Sequence, residues 1–168
     1  MDVFEGIYTR RSVRDFSEKP VESEKILEIL KAGSWAPSGL NNQPWRFVVV
    51  HAAEKRRELA RLTHYGRILE QAPVALAVFV DRIAMYHDTK DHQAVGACIQ
   101  NILLAAHAME LGAVWLGEIL KNASGVREAL SLPENLELMA VVAVGYPART
   151  DQRSGRKQLA ELLLKEIW

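Results

Sequence analysis

Five residues near the amino terminus, Arg10-Arg11-Ser12-Val13-Arg14, bring three guanidiniums and a hydroxyl together. Arginine's planar fork grips phosphate oxygens in pairs, so the cluster suits a terminal phosphate. In an extended segment Arg10, Ser12 and Arg14 point to one side. A second basic cluster, Arg153-Ser154-Gly155-Arg156-Lys157, lies near the other end. Two such arms could close on one phosphomonoester, which carries about −1.5 to −2 charges at neutral pH. Taken singly, either cluster also reads as a solvated basic turn.

The segment Ala36-Pro37-Ser38-Gly39-Leu40-Asn41-Asn42-Gln43-Pro44 is the strongest loop signal in the chain, with two prolines, a glycine and two asparagines. Ser38, Asn41, Asn42 and Gln43 offer donors and acceptors to the polar edge of a planar heterocycle, and Gly39 permits close backbone approach. A well-capped connection into the next strand accounts for the same residues. Trp115-Leu116-Gly117-Glu118 ends a strand, where a backbone amide can reach a ligand or simply form a turn.

His87-Asp88-Thr89-Lys90-Asp91-His92 gathers two histidines and two aspartates, a set that could ligate a divalent ion. Against that, Asp91 reads as the N-cap of a long helix, and the hydrolases with such His-Asp pairs are nearly all helical. Cys98, between Ala97 and Ile99 with no basic neighbour, reads as a buried and inert thiol. Neither Gly-x-Gly-x-x-Gly nor Gly-x-x-x-x-Gly-Lys-Ser/Thr occurs, so any phosphate must be held by another cradle.

Elements must hold these groups in place. Asp2 is placed to cap a short helix from Asp2 to Tyr8. Ser23 starts a second helix, in which Ile26, Leu27 and Leu30 recur at helical spacing until Gly33 stops it. Phe47 to Val50 and Val74 to Val80 read as buried strands, the second ended by Asp81, with a charged surface helix from Ala53 to Leu62 between them. The helix behind Asp91 reaches about Leu111 and is apolar around most of its circumference, through Val95, Ile99, Ile102, Leu103, Ala106 and Met109. Such a helix is central or lies in an oligomer interface. Ala113 to Leu116 predicts a short strand and Leu138 to Val144 the last core strand, closed by Gly145 and Pro147. Gln158 to Trp168 predicts an amphipathic tail.

With 168 residues, 49% of them apolar and 25% charged, the chain has the make-up of one folded domain over residues 1–168, not of a disordered or disulfide-stapled one. Lys+Arg and Asp+Glu both number 21, so the net charge is zero and the electrostatic signature of a nucleic-acid binder is lacking. The longest apolar runs fall far short of the ~18 residues of a membrane span, and no secretory signal is visible at the start. A single cysteine forms no internal disulfide, and a reduced, cytoplasmic setting is expected.

Taken together the motifs resemble one family, the FMN-dependent nitroreductases. The resemblance is carried by Arg10-Arg11-Ser12-Val13-Arg14-Asp15-Phe16 and by Ala36 to Phe47. It continues through Gln100-Asn101 with Leu103-Leu104-Ala105-Ala106, Gly112 to Gly117, Val144-Gly145-Tyr146-Pro147 and Arg156-Lys157. Order and spacing agree from Phe4 to about Lys157. The resemblance implies an α+β fold, a three-layer αβα sandwich around a mixed, largely antiparallel sheet, built as an intertwined homodimer with two flavin sites at the interface. The long helix would form much of that interface, and the tail with Trp168 would wrap the partner.

By the same resemblance Arg10, Arg11, Ser12 and Arg14 bind the FMN phosphate and ribityl chain, with Arg156 and Lys157 completing the cradle. Pro37, Ser38, Gly39, Asn41 and Gln43 approach the flavin from the other subunit. Leu116 leads to the backbone amides of Gly117 and Glu118, near flavin N5. His64, Tyr65 and Arg67 sit where longer members contact flavin and substrate, and Tyr86 and His87 fall in the segment that often forms a substrate lid. The implied activity is a ping-pong cycle in which NAD(P)H is oxidised and leaves before a small acceptor, such as a nitroaromatic or quinone, is reduced. No side-chain nucleophile is needed, because the flavin carries the chemistry. Two rival readings use residues already named: a flavin carrier or sensor without turnover, and a metal-dependent hydrolase built on His87, Asp88, Asp91 and His92.

Overall fold

In the computed structural model, which describes residues 1–168, strand β2 (Val74–Asp81) is buried on both faces and divides the interior in two. Val74, Leu76, Val78 and Val80 point into one core, and Ala75, Ala77 and Phe79 into the other. A period of two is what a pleated strand imposes, so an uninterrupted apolar run here means cover on both sides. Burying each large aliphatic side chain stabilises the fold by roughly 1.5–3 kcal/mol.

The sheet has four strands in the order β1-β2-β4-β3, where β1 is Trp45–Val50, β3 Gly112–Leu116 and β4 Leu136–Gly145. Every ladder is antiparallel. The sheet expected to be mixed and largely antiparallel is antiparallel in all its ladders, with a parallel bridge between Ser12 and Ala113 at its edge. A register shift between Val78 and Phe79 sets Leu138 and Ala140 of β4 on opposite cores.

One outer layer is made by α2 (Ser23–Ser34) and the 21-residue α5 (Asp88–Ala108), which supply Ile26, Ile29, Val95, Cys98, Ile99 and Ile102 to the first core. The other is made by α3 (Ala53–Ala60), α4 (Gly66–Gln71) and α6 (Ala123–Ala129), which supply Leu59, Leu69 and Val126 to the second. The result is the expected three-layer α+β sandwich. Helix α1 (Val3–Thr9) lies outside it, capped by Asp2, whose carboxylate accepts the Glu5 N–H at 2.8 Å.

Gly33 does not stop α2 through a left-handed turn; it lies inside the helix, where a Cβ would stand 2.7 Å from Ile102 Cγ1. Its role is close approach of α2 to α5. Helix α5 begins at Asp88 and ends at Ala108, so Asp91 is inside its first turn and His87 occupies the cap position. Helices α4 and α6, and a 3-10 helix over Glu118–Asn122, fall in stretches too short or too polar to carry a periodic signal. The tail forms only α7 (Leu159–Leu162), and its apolar residues through Trp168 are exposed. No helix is long and apolar enough to cross a membrane.

Candidate functional site

Val13 is buried against Gly112, and its N–H donates to the Ala113 carbonyl at 3.1 Å. With that residue turned inward, Arg10, Arg11, Ser12 and Arg14 line one polar cavity of about 440 Å³. Arg149, Arg153 and Arg156 line it from the C-terminal segment, so six arginines face a space with no hydrophobic residue in its wall and one acidic residue, Asp151. Burial, then the nearby charges of Arg156 and Arg11, push the Arg10 guanidinium below its ordinary pKa. Its Nε is buried without a hydrogen-bond partner. A bound dianion would relieve both penalties. Lys157 is exposed and does not line the cavity. The contributions of Arg149 and Gln152 were missed in the sequence, where the only signal was a basic residue soon after Pro147.

The Ser12–Ala113 bridge joins this cradle to β3. From Ala113 the strand runs about 10 Å, at the rise of a strand, to Leu116, buried at its end, and the chain then turns through Gly117 into Glu118. Glu118 reaches back across the surface: its Oε2 accepts the Thr63 hydroxyl at 2.7 Å and the His64 N–H at 3.0 Å. Those bonds, the Thr63 one foremost, hold the Glu118 carboxyl below its usual range, opposed in part by burial and helped by Lys121. His64 and Tyr65 are thereby set beside the strand end, exposed and edge to face at 5.5 Å between ring centroids. Arg67 is exposed in the first turn of α4.

The third piece is the loop ahead of β1. Leu40, Asn41 and Gln43 have left-handed backbone, with φ of 55°, 54° and 47°. Ser38 Oγ accepts the Gln43 N–H at 3.1 Å, and Gln43 Nε2 donates to the Asn41 carbonyl at 3.1 Å. Asn41 and Gln43 line a cavity of about 400 Å³ with Ser34, Trp35 and Ala36. Pro37 is exposed beside it. Tyr86 leans over Gly39 so closely that a Cβ there would stand 1.7 Å from the phenol oxygen. His87 follows it, ring centroids 6.4 Å apart. Within one chain the arginine cavity and the loop cavity share no lining residue.

The His87–His92 residues do not converge, which removes the basis of the metal reading. Asp91 is buried and accepts the Tyr86 and His87 N–H groups, whereas His92 turns to the Asp88 carbonyl and to Glu137. No group of three or more His, Cys, Asp or Glu side chains stands where one ion could be held. Cys98 is fully buried, and burial pushes its thiol up to about 12, the inert state expected of it.

The three-layer α+β sandwich thus carries an arginine-lined cavity at its sheet edge and a polar loop with left-handed backbone apart from it, and the charge of the cavity suits a phosphate group. The chain belongs to the Nitroreductase family, which matches it over residues 7–65 and 60–146. A protein of Archaeoglobus fulgidus with the provisional name NADH dehydrogenase/NAD(P)H nitroreductase is 39% identical over 144 residues, 84% of this chain and 83% of that one. A provisionally named nitroreductase of Desulfovibrio desulfuricans, solved in complex with FMN, is 49% identical and superposes with a TM-score of 0.95 over 100% of this chain and 98% of that one. The NADPH:FMN oxidoreductase of Vibrio harveyi, complexed with NAD+, is 27% identical with a TM-score of 0.88, over 98% of this chain and 77% of that one.

Proposed function

We propose that this chain is an FMN-dependent oxidoreductase that draws electrons from NAD(P)H and passes them to a small acceptor such as a nitroaromatic or quinone. The observation that carries the reading is the arginine cavity, with the buried, unpartnered Nε of Arg10 at its wall. Its charge and its lack of hydrophobic residues fit a phosphomonoester. When bound, FMN supplies the hydride and electron chemistry.

The chain's own residues bind, orient and shield. Arg10, Arg11, Ser12, Arg14 and Arg156 would hold the phosphate end, with Lys157 as an outer charge. Gly117 and Glu118, just past the end of the strand that Ser12 bridges, would offer backbone amides to the ring at N5. Pro37, Ser38, Gly39, Asn41 and Gln43 would meet the ring from a second subunit, and the separation of the two cavities within one chain supports this division. His64, Tyr65, Arg67, Tyr86 and His87 border the space left for donor and acceptor. One face for both would make the cycle ping-pong.

A homodimer fits the apolar surface. A groove of about 520 Å³ between α1, α2 and α5 is lined by Met1, Val3, Trp35 and Leu104, and the tail extends Leu163, Leu164, Ile167 and Trp168 into solvent. Exposed apolar area on that scale calls for a cover. Residues 1–168 would act as a single flavin-binding domain, and the lone buried Cys98 suits a cytoplasmic setting.

The experiment is a visible absorbance spectrum of the purified protein before and after anaerobic NAD(P)H, with its elution volume. A flavin band that bleaches and returns in air, at dimer mass, is expected. Bound flavin that does not bleach would make the protein a carrier; no flavin after incubation with FMN would refute the reading.

A further inference from the structure

Asp91 is the charged side chain that the fold buries completely. A carboxylate removed from water is strongly destabilised unless hydrogen bonds replace the solvent. Three do so. Oδ2 accepts the N–H of Tyr86 at 2.9 Å and of His87 at 2.8 Å, and Oδ1 accepts from Asn42 Nδ2 at 2.6 Å. Burial alone would raise the Asp91 carboxyl, but these bonds hold it below its ordinary range. Asn42 Nδ2 also donates to the Ala84 carbonyl at 3.0 Å, so its amide nitrogen is tied both to α5 and to the segment leading into it, while its Oδ1 is buried without a partner.

The loop held in this way would not keep its shape unaided. Left-handed backbone at non-glycine residues costs of order 1–3 kcal/mol each and persists where neighbours over-determine it. Leu40, Asn41 and Gln43 all adopt it, and Asn42 stands among them. Tyr86, whose N–H is one of the three Asp91 donors, lays its hydroxyl over Gly39 of the same loop. A carboxylate that merely closed the first turn of α5 would need the Tyr86 and His87 amides and would have no use for Asn42.

We propose that Asp91 is a positioning residue that locks the Pro37–Gln43 loop and the Tyr86–His87 segment into one wall, fixing where Asn41, Gln43 and the Tyr86 hydroxyl meet flavin and acceptor. This rests on the flavin-site reading given above. The wall moves as a unit because its two halves share one buried anion.

The test compares Asp91→Asn and Asn42→Ala with the wild type as FMN-loaded protein. Steady-state kinetics with a quinone, visible-region circular dichroism of the bound flavin and thermal unfolding are measured together. Asp91→Asn keeps the shape but turns an N–H toward a donor; Asn42→Ala cuts the tether from the loop side and leaves α5 untouched. Both variants are expected to retain FMN while kcat/KM for the quinone falls about ten- to a hundredfold, mostly through KM, as misplacement of a binding wall by about 1 Å can do. The flavin dichroism should change in the same sense in both. Wild-type kinetics and dichroism in Asn42→Ala, with only the melting temperature lowered in Asp91→Asn, would overturn the proposal. Should Asp91→Asn not fold, Asn42→Ala decides. A wild type that takes up no FMN would refute the flavin reading and this inference with it, so the two failures are distinct.

Discussion

The Glu118 carboxylate accepts the Thr63 hydroxyl at 2.7 Å, joining the end of β3 to a turn 55 positions earlier. The same oxygen takes the His64 N–H, and Thr63 Oγ1 in turn accepts the Tyr65 N–H at 3.2 Å. One side chain thus fixes the rim on which His64 and Tyr65 stand. Glu118→Ala should leave FMN content intact and lower kcat/KM for the acceptor about tenfold, because charge-assisted hydrogen bonds are among the stronger positioning contacts. Glu118→Gln, which keeps an accepting oxygen, should stay within about threefold of wild type. Steady-state kinetics on both variants would check this.

The arginine cavity makes a prediction about cofactor retention. Arg10 and Arg14 both line it, and neither supports the core through an apolar contact. Replacing both with Ala should abolish FMN retention and leave a folded protein. Flavin absorbance per protein and far-ultraviolet circular dichroism measure the two halves of that statement. Unchanged stoichiometry would refute the phosphate assignment.

Gly33 tests the packing of α2 on α5. A methyl group there would press on Ile102 at 2.7 Å, with Ile102 Cδ1 at 3.1 Å and Cys98 Sγ at 3.3 Å behind it. Overpacking of this kind destabilises by about 1–3 kcal/mol, partly offset by the ~1 kcal/mol that Ala gains over Gly within a helix. Gly33→Ala should therefore lose up to about 2 kcal/mol in a denaturant melt, and Gly33→Val more.

His92 gives the start of α5 a pH dependence. Its Nδ1 meets the Asp88 carbonyl at 2.6 Å and its Nε2 meets Glu137 at 3.2 Å, and Glu137 also pairs with Arg82. The Asp88 carbonyl, opposed by burial and reinforced by Glu137, raises the His92 pKa above the ordinary histidine value. A raised folded-state pKa stabilises fully below the unfolded value of about 6.5 and is lost as pH climbs through the folded value. The melting-temperature gap between wild type and His92→Asn should be widest below the ordinary histidine pKa of about 6.5 and narrow as the pH rises above it.

Much of this was legible along the chain. The Asp2 cap, the four strands and the two long helices announced themselves through capping, short apolar runs and helical spacing, all of them agreements between residues a few positions apart. The arginines at 10, 11 and 14 and the polar loop before Trp45 were visible for the same reason. Gly33 and Asp91 were misread by that logic. A glycine late in a helical pattern and an acid near a helix start have local explanations at hand, yet both residues answer to partners elsewhere: Gly33 to Ile102, Asp91 to Asn42.

By itself, then, the sequence determined most of the elements and which chemical groups are offered: a basic segment, a polar loop and a long helix apolar around most of its circumference. Only the tertiary structure decided how they meet. Strand order β1-β2-β4-β3 sets α2 and α5 on one face and α3, α4 and α6 on the other; the register of Ser12 on Ala113 aims the arginines into one cavity. The contacts of Asn42 with Asp91 and of Thr63 with Glu118 span 49 and 55 positions. Such pairings depend on how whole layers pack, and no pattern among neighbours in the chain encodes that.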